Sequence, residues 1–259
     1  MPGFFRLDIA DSVARLTLTR PDVHNAFNAE MIVELRDCFR DLAQHDAVRA
    51  VVLAGEGPSF CAGGDLNWMR STMEWSHEQQ VADASALADL FQAAWDLPKP
   101  LIGRVHGAAI GGGVGLVACC DIAIASENAR FGLSEVKLGL VPAIIAQYVV
   151  PIIGMSQARA LFVTGERFSA QRALQINLVH EVVAEAELDT AVDQTLKQLR
   201  SSGPQAIGSA KRLVDAMWQL ERDAARNYVI EAIVQARGSE EGQAGMRAFL
   251  EKRKPEWNT

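Results

Sequence analysis

Three short stretches of this chain carry residue types suited to chemistry on a polarised carbonyl. Ser59-Phe60-Cys61-Ala62-Gly63-Gly64-Asp65 and His106-Gly107-Ala108-Ala109-Ile110-Gly111-Gly112-Gly113 are glycine-containing turns, each close to a buried apolar run. Backbone without side chains lets a ligand approach closely, and N–H groups at a helix start carry partial positive charge, so two such loops can grip one developing oxyanion. The bland reading, that the glycines only make tight turns, stands beside this one. The third stretch, Phe131 to Pro142, holds Glu135 among Phe131, Leu133, Val136, Leu138 and Leu140. A carboxylate is costly to bury there without a partner or a task, and burial raises its pKa toward that of a useful base. A salt bridge to Lys137, or a place on a surface strand, is the alternative.

Other constellations are weak. Gly113-Val114-Gly115-Leu116-Val117-Ala118 fits the dinucleotide pattern G-x-G-x-x-A, with acidic Glu135 twenty residues beyond Gly115. Only six residues separate Gly113 from Cys120, where the next strand begins, whereas a crossover helix needs about a dozen or more, which argues against a nicotinamide site. G-x-S-x-G, H-E-x-x-H and Walker patterns are absent, and the histidines at 24, 45, 77, 106 and 180 lack metal-ligand spacing, so no metal is expected. His106 reads as a satisfied structural histidine and Asp121 as a cap or core partner. Trp68, Met69 and Trp75 either line an apolar pocket or belong to the core or a lid.

The elements that must position these residues follow from periodicity. Residues 4–9 and 13–19 alternate around Ala10-Asp11-Ser12 and predict a hairpin. Asn28 is an N-cap candidate for a helix to about Gln44 with Met31, Leu35, Cys38 and Leu42 on one face. Strands are expected at 48–54, 98–105 and 121–125, a helix over 78–96 and a short one opening at Gly111. This alternation predicts an α/β fold. From Ala143 onward helical periodicity dominates (156–163, 169–175, 186–200, 204–220, 224–237, 240–252), broken at 177–183. The expected layout is an α/β core over 1–200 and a helical segment over 201–259, too small to carry much core alone and so packed on the core or on another subunit.

Composition narrows the classes. With 25 basic and 32 acidic residues the net charge is −7, and no basic cluster exceeds Lys252-Arg253-Lys254, which argues against nucleic-acid and anionic-membrane partners. A phosphorylated ligand then needs a local basic contact. Four cysteines (38, 61, 119, 120) without C-x-x-C spacing point to a reducing, cytoplasmic setting. Met1-Pro2-Gly3-Phe4-Phe5-Arg6 has no signal-peptide pattern, and the apolar run from Val105 to Ala125 carries His106, five glycines and Asp121, so it reads as buried strands and turns.

Taken together, Arg20-Pro21-x-x-x-Asn25-Ala26, Phe60-Cys61-Ala62-Gly63-Gly64-Asp65, Gly107-x-x-x-Gly111-Gly112-Gly113, Cys120-Asp121-Ile122, Phe131-Gly132-x-x-Glu135, Leu138-Gly139-x-x-Pro142 and the C-terminal Phe249-Leu250-Glu251-Lys252-Arg253 resemble the crotonase superfamily of enoyl-CoA hydratases and isomerases along the whole chain. The resemblance implies a spiral core of repeated ββα-type units and a helical C-terminal trimerisation region, hence a homotrimer or a dimer of trimers. It implies an acyl-CoA thioester as partner and no cofactor beyond the coenzyme A of that substrate. Its carbonyl would lie between the N–H groups of Ala62 and Gly112, with Glu135 as acid and base. His24, Ala26, Ala62, Gly64, Asp65, Leu66 and Gly112 match stretches that hold coenzyme A, as do Phe249 and Lys252 near the C-terminus.

One departure matters. Hydratases of that family usually carry a second glutamate two residues after the triple glycine; here that position is Gly115, and the usual glycine-rich stretch after Pro142 is replaced by Ala143-Ile144-Ile145-Ala146-Gln147-Tyr148. Hydration is ordinarily shared by two carboxylates, whereas a double-bond shift needs one base, so Gly115 on chemistry alone favours a Δ3,Δ2-enoyl-CoA isomerase. The local wording around Gly111–Leu116, Cys119–Ser126 and Leu133–Ala143 is similar instead to bacterial methylglutaconyl-CoA hydratases of leucine and acyclic-terpene breakdown. The expectation is therefore hydration of 3-methylglutaconyl-CoA or a related branched enoyl thioester, with Lys137 or Tyr148 as candidates for a distal carboxylate. A non-catalytic acyl-CoA-binding or RNA-associated member of the fold is a further alternative.

Overall fold

The computed structural model describes residues 3–258; Met1 and Pro2 of the N-terminal reading, and Thr259, lie outside the described residues. The chain divides into two compact units. One comprises the residues up to Leu97 together with Leu101–Val192, and the other Pro98–Pro100 together with the chain from Asp193 onward.

In the first unit the N-terminal alternation folds as expected: β1 (Phe5–Ala10) pairs antiparallel with β2 (Val13–Leu18) through a turn whose Asp11 and Ser12 both take positive φ. Helix α1 (Ala29–Gln44) starts where Asn28 caps it, the side chain accepting from the Met31 N–H at 2.9 Å, and it buries Met31, Leu35, Cys38 and Leu42. Next come β3 (Ala50–Gly55), β4 (Ser59–Cys61), α2 (Leu66–Thr72) and α3 (His77–Trp95), the last opened by a reciprocal Ser76–Gln79 capping box. They are followed by β5 (Leu101–Val105), β6 (Ala108–Ile110), α4 (Gly112–Cys119), β7 (Ile122–Ser126) and β8 (Arg130–Gly132). Helix α5 (Ala143–Thr164), β9 (Arg167–Ser169), α6 (Ala170–Gln175), β10 (Glu181–Val183) and the start of α7 (Leu188–Arg200) complete the unit. Although α5 is apolar and 22 residues long, it is two helical pieces meeting at Gly154 (φ 75°, ψ 155°) and it buries Ile145, Tyr148, Val149 and Ile153.

The strands form two sheets. β1-β2-β3-β5-β7-β10 is parallel except for the first hairpin, and β4-β6-β8-β9 is parallel except for β8–β9. β3 is apolar on both faces, as a covered parallel sheet requires, and so is β5 except at Arg104, which pairs with Asp189. The second sheet has no counterpart in the sequence reading: its strands are three residues each, too short for alternation to register. The expected strand over 98–105 shortens to Leu101–Val105, whose first N–H donates to Asp121 Oδ2 at 2.7 Å. Residues 98–100 group with the second unit, where Lys211 Nζ donates to the Lys99 carbonyl.

That second unit holds the rest of α7, α8 (Pro204–Gln219), α9 (Arg222–Gly238) and α10 (Glu240–Leu250). Glu241 accepts from the N–H groups of Gln205 and Ala206 at 2.9 and 2.8 Å, a carboxylate on the positive end of α8. Val214, Met217 and Trp218 on α8, Val229, Ile230, Ile233 and Val234 on α9, and Met246, Phe249 and Leu250 on α10 are exposed.

The first glycine loop is held by a buried polar knot. Arg20 pairs with Asp65 at 2.8 Å and donates also to the Ala26 carbonyl, while Asn25 (φ 56°) accepts from the Arg20 N–H and donates to the carbonyls of Glu56 and Ser59. Burial opposes the charge on Asp65, but hydrogen bonds from the Asn67 N–H, the Arg20 guanidinium and the Trp68 N–H outweigh it and hold the carboxyl below its usual pKa. Its contribution to stability is therefore present at neutral pH and is lost as the pH falls through that lowered value. Arg20→Met, which leaves Asp65 unpaired, is expected to lower stability at pH 7 by about 3 kcal/mol in urea titration, with the loss shrinking toward acid pH.

Candidate active site

The loop between β4 and α2 and the loop between β6 and α4 meet backbone to backbone. Gly63 has φ 88°, and a Cβ there would stand 2.9 Å from the Ile110 carbonyl oxygen and 3.6 Å from the Gly112 nitrogen. Only glycine combines that conformation with that approach. Phe27 clamps the first loop like a strand partner, its N–H donating to the Gly63 carbonyl and its carbonyl accepting from Asp65. Within these loops the N–H groups of Gly64 and Gly112 have no protein acceptor, and both residues line one cleft. Two unspent donors on converging loops are the construction that stabilises an oxyanion.

Ala62 does not share that role. Its N–H donates to the His24 carbonyl at 3.0 Å, so the donor expected of Ala62 passes to Gly64, two residues on. The sequence reading missed which amide of this stretch the fold leaves free.

Glu135 opens a single 3-10 turn, Glu135–Leu138, directly after β8. The turn is fixed to the second loop because the Gly111 N–H donates to the Gly132 carbonyl at 2.8 Å. A Cβ on Gly111 would lie 3.0 Å from Glu135 Oε1, which puts the carboxyl beside the residue preceding Gly112. Glu135 Oε2 is buried without a hydrogen-bond partner, and Lys137, whose side chain is exposed, is not among the groups that act on its carboxyl. Burial raises the Glu135 pKa, opposed only by its own backbone N–H.

The position of the missing second glutamate is filled rather than vacant. A Cβ on Gly115 would overlap Ile145 Cγ2 and stand 2.8 Å from Phe91 Cε1. Phe91 is itself fixed, edge-on to Phe27 at 6.2 Å and tilted against Tyr148 at 6.0 Å. Apolar side chains thus occupy the space that a side chain at position 115 would take.

The cleft has a volume of about 560 Å³. Trp68, Met69 and Trp75 line it, Trp68 packing against the hydrophobic core as well, and Leu140 to Ile145 form a further part of the wall. Trp68 lies over Gly64, 3.2 Å from where a Cβ would stand, and its indole N–H donates to Asp83 of α3 at 3.1 Å. Asp83, absent from the sequence reading, is the second carboxyl lining the cleft; its signal was an acid sharing a helix face with Gln80, Ala84 and Leu87.

The remaining expected residues are placed as follows. Asp65 is buried, with its carboxylate taken by Arg20 and the Asn67 N–H, so it holds the loop and offers nothing to a ligand. Ala26 is buried with its N–H on Val23 and its carbonyl on Arg20, which likewise removes it as a ligand contact. His24 is exposed with positive φ, Nδ1 2.9 Å from Ser59 Oγ, and Leu66 is 75% exposed at the start of α2. Phe249 and Lys252 belong to the second unit, both exposed. Tyr148 is buried with its hydroxyl donating to Gln92, and neither it nor Lys137 lines the cleft, so neither meets a distal substrate carboxylate there. His106 is only half satisfied: Nε2 meets the Gly57 carbonyl at 2.8 Å, and Nδ1 has no partner. Among the described residues no cluster of His, Cys, Asp and Glu could hold a metal.

Two outcomes follow from this geometry. Gly115→Ala is expected to cost about 1–3 kcal/mol through overpacking, and Ile145→Ala in the same chain should recover part of it, read as a shift in urea midpoint. If Glu135 acts as a base, the acid limb of kcat/KM lies above the usual glutamate range of about 4.3, because activity is lost as falling pH protonates a group whose pKa burial has raised.

The sequence pattern of the enoyl-CoA hydratase/isomerase family matches residues 8–259. A short-chain-enoyl-CoA hydratase of Clostridium acetobutylicum is 34% identical over 254 residues, 96% of this chain and 95% of that protein. A crotonyl-CoA hydratase of Syntrophomonas wolfei is 32% identical over 250 residues, covering 96% and 95%. The crystal structure of an enoyl-CoA hydratase from Shewanella pealeana superposes with a TM-score of 0.94 at 40% identity, covering 98% of this chain and 96% of that one.

Proposed function

Because the chain belongs to the enoyl-CoA hydratase/isomerase family, we propose that the cleft bounded by Gly64, Gly112 and Glu135 binds an α,β-unsaturated acyl-CoA thioester and adds water across its double bond. The observation that carries this reading is the placement of an unpartnered, desolvated carboxyl beside two unspent backbone N–H groups. The thioester oxygen takes both N–H bonds. Glu135 accepts a proton from water as its oxygen adds to the β-carbon, the π-electrons move onto the thioester as an enolate, and Glu135 returns the proton to the α-carbon. The two donors favour the enolate over the neutral carbonyl, which lowers the barrier to both half-steps.

The coenzyme A portion is the reaction's only special group, and no further cofactor enters. His24 and Leu66, exposed beside the first loop, are its proposed contacts on this unit; Phe249 and Lys252 are proposed as contacts supplied by a neighbouring subunit, with Lys252 bringing the local positive charge that a net charge of −7 otherwise withholds. The exposed apolar rows on α8, α9 and α10 support association into a trimer or a dimer of trimers, since large apolar patches on a soluble protein mark interfaces.

For the acyl group, a branched chain such as that of 3-methylglutaconyl-CoA fits the apolar walls of Trp68, Leu87, Leu140 and Ile144. No lysine or arginine lines the cleft among the described residues, so a distal carboxylate depends on Thr72 and Gln80 for hydrogen bonds. A Δ3,Δ2-isomerase is the second reading, and the apolar filling around Gly115 favours it, because a proton shuttle between two carbons needs one base and no water.

Turnover of crotonyl-, 3-enoyl- and 3-methylglutaconyl-CoA in heavy-oxygen water separates these readings. A hydratase incorporates solvent oxygen; mass-neutral conversion of the 3-enoyl thioester alone establishes the isomerase. Salt-dependent RNA affinity without any turnover would establish the non-catalytic reading. Glu135→Gln is expected to reduce kcat by about 10²–10⁴-fold, and a loss below about tenfold removes Glu135 from the mechanism. The same variant should match or exceed the wild-type Tm at pH 7, since it removes a desolvated charge without a partner.

A further inference from the structure

We infer that Asp83 supplies the carboxyl that Gly115 lacks, holding the attacking water for Glu135. This rests on the hydratase reading above and deepens it. Three observations converge. The place of a second carboxylate after the triple glycine is closed by Ile145 and Phe91, so no acid can act from there without rebuilding the wall. Among the residues lining the cleft, Glu135 and Asp83 are the two carboxyls, one on the turn after β8 and the other on α3. Asp83 is held in place by one neutral donor, Trp68 Nε1 on Oδ1, and the indole that holds it also lies over Gly64. Oxyanion loop, indole ring and carboxyl thereby form one connected wall of the cleft.

Trp68 bonds one oxygen of Asp83 and leaves Oδ2 without a protein partner. No cation pairs with the group, and burial is the main influence on it, raising its pKa, as it does for Glu135. A half-buried carboxyl that lines the cleft and is bonded by a single indole N–H is a water-binding group by default, since its remaining lone pairs require a donor.

In the reaction, one O–H of the water points to Asp83 and the other to Glu135, which turns an oxygen lone pair toward the β-carbon. The C–O bond forms as Glu135 takes its proton, and the π-electrons pass to the thioester oxygen. The enolate then collapses to form the α-C–H bond with the proton from Glu135. The second water proton never leaves oxygen and ends on the product hydroxyl, still directed at Asp83. Glu135 regains its starting state and Asp83 never changes its own.

The test compares two reactions of the same site. Hydration of crotonyl-CoA needs the held water; exchange of the α-protons of butyryl-CoA with D2O needs Glu135 and the two N–H groups but no attacking water. Asp83→Asn is expected to lower kcat for hydration by about 10²-fold with KM within about threefold, and to leave α-proton exchange within about threefold of wild type. Glu135→Gln should abolish both. Trp68→Phe, which keeps the ring and removes the donor, should show the Asp83→Asn pattern in weaker form. Hydration within about threefold of wild type in Asp83→Asn overturns the inference, as does equal loss of hydration and exchange, which marks a merely structural role. A change confined to KM for polar acyl chains also overturns it, by making Asp83 a selectivity group. A wild-type enzyme that exchanges and isomerises but never incorporates solvent oxygen fails at the earlier step and refutes the hydratase reading itself.

Discussion

The closeness of two backbone segments governs this molecule. Gly63 and the Ile110–Gly112 segment touch without side chains between them, and that contact brings two amides to a cleft whose lining is mostly apolar. Two sheets are needed to bring it about: β4 and β6 run parallel and adjacent, so the loops leaving their C-terminal ends emerge together. The first loop is then fixed by the Arg20–Asp65 pair, by Asn25 bridging three backbone groups, and by Phe27 on either side of Gly64. Preorganised donors are worth more than mobile ones because the cost of orienting them is met during folding.

Around that contact the structure controls water. Phe27 and Phe91 stand against Gly112 and Trp68 against Gly64, which excludes water from the amides and strengthens their dipoles, and burial raises the pKa of Glu135. The substitution of glycine at 115 belongs to the same design. An acid there would need a hydrated or paired surrounding, whereas the glycine lets Phe91 and Ile145 close the wall. Polar groups are admitted to the cleft only where a helix or a turn fixes them, as with Asp83 on α3 and Glu135 after β8.

Residues that motif matching groups together divide physically into two kinds. Gly64, Gly112 and Glu135 face the cleft. Arg20, Asn25, Ala26 and Asp65 face each other, and their hydrogen bonds are spent on the loop. The stretch Arg20-Pro21-x-x-x-Asn25-Ala26 is therefore scaffold: its polar groups hold the shape of the loop and leave nothing for a ligand.

Much was legible in the sequence where the physics is local. The N-cap at Asn28, the N-terminal hairpin, the buried runs of β3, β5 and β7, and the helical last third follow from periodicity, capping and side-chain burial, which act over a few residues. The motif set likewise identified the family, and the apolar setting of Glu135 marked it as a costly acid. The second sheet escaped because each of its strands is three residues long and gains its stability from partners distant in sequence. Only the tertiary structure decided which amide of Ala62-Gly63-Gly64 stays free, since that depends on the His24 carbonyl reaching Ala62. It also decided that Gly115 is enclosed by Ile145 and Phe91 and that Asp83 enters the cleft through Trp68. Those outcomes turn on distances between segments far apart in the chain, and such distances are fixed by packing, which no single stretch of sequence contains.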